Sequence, residues 1–74
     1  MVKEMTFEIF YSYIGREDCK EHRKVLGVST GVSFLNACEN FANQNPEFRK
    51  YFDRDKLTYK GHLLEGALTN SVCN

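Results

Sequence analysis

The chain lacks a net charge: ten basic and ten acidic residues cancel over 74 positions. That removes the basic footprint most nucleic-acid binders carry and any pull toward an anionic membrane surface. No apolar run approaches the ~20 residues of a membrane span. The first residues, Met1-Val2-Lys3-Glu4, carry charge where a signal peptide needs an unbroken apolar core. Cysteine is scarce and odd in number (Cys19, Cys38, Cys73), a poor basis for a disulfide framework. These absences lead us to expect a soluble protein of a reducing, cytoplasmic compartment. There is also no internal repeat, no low-complexity tract, no glycine-rich anion cradle and no repeated CxxC or CxxH knuckle.

Disorder is argued against by a single proline beside 42% hydrophobic residues. The length allows one domain, 1–74, and we expect an ordered core over about 4–68 with a frayed tail at 69–74. A chain this short buries only ~60% of its unfolded surface, so every large apolar side chain counts.

The clearest helical signal runs over 30–43. Phe34, Ala37, Cys38, Phe41 and Ala42 recur at i, i+3, i+4, i+7 and i+8, with Asn36, Glu39, Asn40 and Asn43 opposite. Ser29 or Thr30 is the expected N-cap, and Asn45-Pro46 the stop. Before the helix, Met5–Ile14 reads as a strand. Met5, Phe7, Ile9, Tyr11 and Tyr13 share the face meant for the helix, while Phe10 and Ile14 lie on the other. Residues 15–21 form the expected hairpin loop, and 22–29 the return strand, with Gly27 marking a bulge or a close approach beneath the helix. After the helix, Pro46 opens a short second helix bearing Phe48, Tyr51 and Phe52. Residues 56–62 alternate as a third strand, and 63–68 either extend it or form a last helical turn. The expectation is an α+β domain, ββα(α)β, with an antiparallel sheet packed on the main helix.

Candidate chemistry is sparse. Cys19 and His22 sit close in the loop and, with His62 and Cys73, offer four zinc-type donors without the repeated knuckle a zinc site uses. No cofactor is therefore expected. The same Cys19 and His22 pair as nucleophile and base lacks an orienting acid and an oxyanion cradle, so no enzyme is expected. Aromatics interleaved with cations offer a second chemistry. Tyr13, Arg23, Lys24, Arg49 and Lys50 suit stacking and charge pairing with single-stranded nucleic acid, although acids interrupt both basic clusters. The remaining signal is an excess of large apolar groups. Phe10, Tyr11, Ile14, Phe48, Tyr51 and Phe52 would form a protein-binding patch if they stay exposed, and otherwise complete the core. The primary expectation is a non-enzymatic protein-binding module. It would be a regulator or inhibitor of the small bacterial or phage accessory kind that meets another protein or a second copy of itself. Single-stranded nucleic-acid binding is the alternative.

Overall fold

The computed structural model describes residues 3–69. The fold is α+β. Strand β1 (Met5–Ile14) and strand β2 (Glu21–Gly31) form a long antiparallel hairpin. Helix α1 (Phe34–Gln44) and helix α2 (Pro46–Tyr51) follow, then four short strands: β3 (Phe52–Asp53), β4 (Thr58–Tyr59), β5 (His62–Leu63) and β6 (Glu65–Leu68). The main sheet has the order β2-β1-β6, all antiparallel, and β3-β4-β5 form a second small sheet.

The hairpin ladder explains both faces. Directly opposed residues of an antiparallel pair share a face. Phe7 opposes Ser29, Ile9 opposes Gly27, Tyr11 opposes Lys24 and Tyr13 opposes His22, all on the inner face toward the helix. Thr6–Thr30, Glu8–Val28, Phe10–Val25 and Ser12–Arg23 share the outer face. The register slips between Ile9 and Phe10, so Leu26 is the extra residue of a bulge on β2. Both readings of Gly27 hold. It adjoins the bulge, and a Cβ there would stand 2.6 Å from the Phe41 ring of α1.

The main helix starts later than the sequence suggests. Ser29 and Thr30 stay in the β ladder opposite Phe7 and Thr6, so neither is free to cap. Ser33 takes that role: its hydroxyl accepts from the Asn36 N–H at 3.1 Å, and the Asn36 side-chain oxygen accepts from the Val32 N–H at 3.0 Å. The pair works like a capping box, except that the Asn36 side chain reaches past the Ser33 cap to the N–H of the residue before it. Gly31 allows the tight entry, since a Cβ there would collide with the Ala37 backbone nitrogen. The expected apolar stripe faces inward. Ala37, Cys38 and Ala42 are buried, while Phe34 and Phe41 pack at its edges.

The core joins Ile9, Cys38, Ala42, Phe48 and Leu64, with Leu26, Phe34, Phe41, Phe52, Leu57 and Tyr59 around them. Phe48 centres it, in ring contact with Phe41, Phe52 and Tyr59.

The expected third strand is corrected. Residues 56–62 do not form one strand but fold into the turns and short ladders of the small sheet, with Leu57 and Lys60 at φ near +55° and Gly61 at +83°. The third strand of the main sheet is Glu65–Leu68. It lies on the free edge of β1, where Gly66 gives the room its Phe34 contact requires. The Thr69 N–H continues that pairing to the Thr6 carbonyl at 3.0 Å. The rest of the expected tail, and Cys73 with it, lies outside the described residues.

Candidate nucleic-acid interface

All six phenylalanines are buried or half-buried. All four tyrosines and both histidines join in one tract where the hairpin meets the small sheet, with Tyr11 and Tyr59 half-buried and Tyr13 and Tyr51 exposed. The tract runs from His22 through Tyr13, Tyr11 and Tyr59 to Tyr51. His22 and Tyr13 stack at 5.4 Å, Tyr13 and Tyr11 are 6.2 Å apart, Tyr11 and Tyr59 stack at 6.5 Å, and Tyr59 meets Tyr51 edge-on at 5.9 Å. His62 lies flat on Tyr11 at 4.3 Å.

Local structure produces this tract from scattered sequence. Tyr11 and Tyr13 are alternate residues of β1 on the inner face, past the end of the helix that covers Phe7 and Ile9. Across the ladder β2 supplies His22 and Lys24. Tyr59 and His62 are paired residues of the β4–β5 hairpin, whose tight turn carries Lys60 and Gly61. Tyr51 is the last residue of α2, and its carbonyl accepts from the Lys60 N–H at 3.2 Å. The phenol ring and its polar tip suit a half-wet position that Phe would occupy at a loss.

Cations border the tract. The Lys60 ammonium sits 4.5 Å from the Tyr51 ring centre and 5.6 Å from that of Tyr59, and Lys50 lies 5.6 Å from Tyr51. Lys24 and Arg16 line the concavity beside Tyr11, Tyr13 and His62. At the hairpin turn the Asp18 carboxylate is engaged. It accepts the Lys20 backbone N–H at 3.0 Å and the His22 Nε2 proton at 2.9 Å. A carboxylate only accepts, so these bonds put the His22 proton on Nε2. They also hold the Asp18 carboxyl below its usual range. By register the outer face carries Glu8, Glu21 and Glu65 beside Arg23, so it is the more acidic of the two.

The two sets of residues that sequence suggested are rearranged. Phe10 and Phe48 offer no patch, since they are 5% and 4% exposed. Phe48 is core. Phe10 lies on the outer face but is covered by the chain's own Arg23, whose guanidinium sits 4.0 Å above its ring. Phe52 is half-buried against Phe48. Tyr11 and Tyr51 from the protein-binding set, and Tyr13, Lys24 and Lys50 from the nucleic-acid set, fall together on the tract. Arg23 is spent on Phe10. Arg49 lies elsewhere, in an open polar groove with Asn36, Asn43 and the Arg54–Glu39 ion pair. Ile14 edges the concavity. Sequence reading offered His62 only as a zinc-type donor and Lys60 only as part of an interrupted basic cluster, and gave Tyr59 no role; their KLTYKGH context carries no signal that joins them to the tract.

The metal donors among the described residues do not gather. Among the described residues, no three His, Cys, Asp or Glu side chains cluster as a metal would require. Cys19 is an exposed free thiol at φ +54°, His22 is bound to Asp18, and His62 is stacked on Tyr11. Cys38 is buried, and desolvation pushes its thiol up to about 12, so it stays protonated and inert.

No family model, curated protein or solved structure matches this chain. The site therefore stands on its geometry alone. Among the described residues no helix is long and apolar enough to cross a membrane.

Proposed function

We propose that the chain is a small non-enzymatic binding module that holds single-stranded nucleic acid across the tyrosine–histidine tract. One observation carries this reading: every tyrosine and histidine lies in a single run of ring contacts bordered by Arg16, Lys24, Lys50 and Lys60. Rings supply stacking surfaces that tolerate any base, worth about 1–3 kcal/mol for each base engaged, and the cations meet the backbone. Duplex recognition is a poorer fit, because among the described residues neither helix carries the basic face that a groove reader uses. Unpaired thiols at Cys19 and Cys38 support action in a reducing cytoplasm. The test is fluorescence anisotropy with a labelled mixed-sequence oligonucleotide. Binding at low salt that is lost on Tyr11→Ala/Tyr13→Ala supports the reading, and no binding by the folded protein sinks it.

A second reading rests on a separate observation. Val25 and Val28 are 46% and 54% exposed on the outer sheet face, beside Ala67 and above no covering element among those described. A protein-binding regulator, or a self-associating one, would use this face. The mass in solution at rising concentration tests self-association, with Val25→Lys/Val28→Lys restoring the monomer if a dimer forms there.

A further inference from the structure

We infer that the concave end of the tract takes one nucleobase together with its own phosphate, so that a mononucleotide is the smallest ligand the protein recognises. The inference rests on the nucleic-acid reading and narrows it to one subsite. The concavity is lined by Tyr11, Tyr13, Ile14, Arg16, Lys24 and His62, with the backbone of Gly15 at its rim. Its volume of about 510 Å³ falls within the ~300–1,000 Å³ of small-molecule sites.

Three features set this end apart from the rest of the tract. It is concave, and its rings and cations line one space. Its rings are braced: the β1–β2 ladder fixes Tyr11 and Tyr13, His62 stacks on Tyr11 at 4.3 Å and His22 on Tyr13 at 5.4 Å. A braced ring loses little entropy when a base settles on it. Finally, the lining holds two cations and no carboxylate, while Asp18 nearby is tied to His22 and the Lys20 N–H. Apolar aromatic walls with two cations at the margin match a flat heterocycle carrying a dianionic group. They do not match a bare anion, which leaves the rings unused, or a neutral base, which leaves Arg16 and Lys24 unused.

The experiment is a ¹H–¹⁵N correlation titration of the full chain at matched ionic strength, with thymidine 5′-monophosphate, thymidine and inorganic phosphate as separate probes. The expected result is saturable shifts centred on Tyr11, Tyr13, Lys24 and His62 with the monophosphate. Thymidine and phosphate should each bind about tenfold more weakly or worse. Arg16→Gln/Lys24→Gln should erase the advantage of the monophosphate over thymidine while leaving the spectrum dispersed. If the oligonucleotide binds but the monophosphate leaves these residues unmoved, the subsite is wrong and the broader reading stands. Failure of both ligands with the folded protein overturns both. Saturable monophosphate shifts centred on other residues also overturn the subsite.

Discussion

The imidazole of His62 lies against the ring of Tyr11 with centroids 4.3 Å apart and planes within 11° of parallel. This contact joins the two sheets, because Tyr11 belongs to the long β1 strand and His62 to the short β5 strand. The pair is also the middle of the tyrosine–histidine tract. One contact thus ties assembly of the fold to assembly of the site.

His62→Ala should loosen the β4–β5 hairpin, because an aromatic pair contributes about 0.5–1.5 kcal/mol beyond its buried area. Amide exchange at Lys60 and Leu64, which bond back to Tyr51 and Leu57, should quicken while exchange in the β1–β2 ladder holds. His62→Phe should restore protection. Unchanged exchange in His62→Ala would show that the stack does not hold the sheets together.

Phe10 and Tyr51 should separate cleanly in their effects. Phe10→Ala removes a ring that is 5% exposed and leaves Arg23 without its platform, so unfolding free energy should fall by about 3–5 kcal/mol. Tyr51→Ala removes a ring that is 42% exposed, and should change stability by about 1 kcal/mol or less while weakening oligonucleotide affinity. Chemical denaturation beside anisotropy measures both. Equal stability losses would place Tyr51 in the core and remove it from the site.

Gly27→Ala should destabilise by about 1–3 kcal/mol, since the new methyl stands 2.6 Å from two atoms of the Phe41 ring. Phe41→Leu in the same chain should recover part of that loss, because a smaller side chain vacates the space. A neutral Gly27→Ala would mean that the helix rides higher on the sheet than described.

Cys38 gives a pH signature. Burial raises its thiol from the ordinary value near 9.0 to about 12 in the folded state. A raised value in the native state means that the unfolded chain loses this proton first. The thiol's contribution to stability is therefore full below about pH 9 and fades between about pH 9 and 12. The stability difference between the wild-type chain and Cys38→Ala should shrink across that window. At neutral pH, thiol labelling read by peptide mass should modify Cys19 readily and Cys38 only on unfolding. Rapid native labelling of Cys38 would contradict its burial.

The sequence carried the local parts of this fold well. The alternation of Met5–Ile14, the apolar stripe from Phe34 to Ala42 and the proline at the start of the second helix are each set by neighbours within a few residues. It was less informative where distant contacts decide. Ser29 and Thr30 are good caps in isolation, but the ladder to Thr6 and Phe7 claims them, and the cap moves to Ser33. Residues 56–62 alternate like a strand, but left-handed backbone at Leu57 ends the turn before Thr58, and again at Lys60 and Gly61 it folds the chain into a tight hairpin. Phe10 looked surplus because its cover is an arginine from the next strand, which no periodicity reveals. The tract was only half visible. Tyr11, Tyr13, Lys24 and Lys50 stood out, yet their meeting with Tyr59, Lys60 and His62 depends on how the small sheet docks.

The most direct measurement is oligonucleotide affinity as a function of salt, for the wild-type chain and for Tyr11→Ala/Tyr13→Ala. With Arg16, Lys24, Lys50 and Lys60 as the phosphate contacts, log affinity should fall against log salt with a slope of about −3, from ~0.7 per contact on a single strand. The double variant should keep that slope but bind at least tenfold more weakly, having lost stacking and not charge. A folded double variant that binds as tightly as the wild-type chain, or a wild-type chain that binds no oligonucleotide at low salt, would contradict the account.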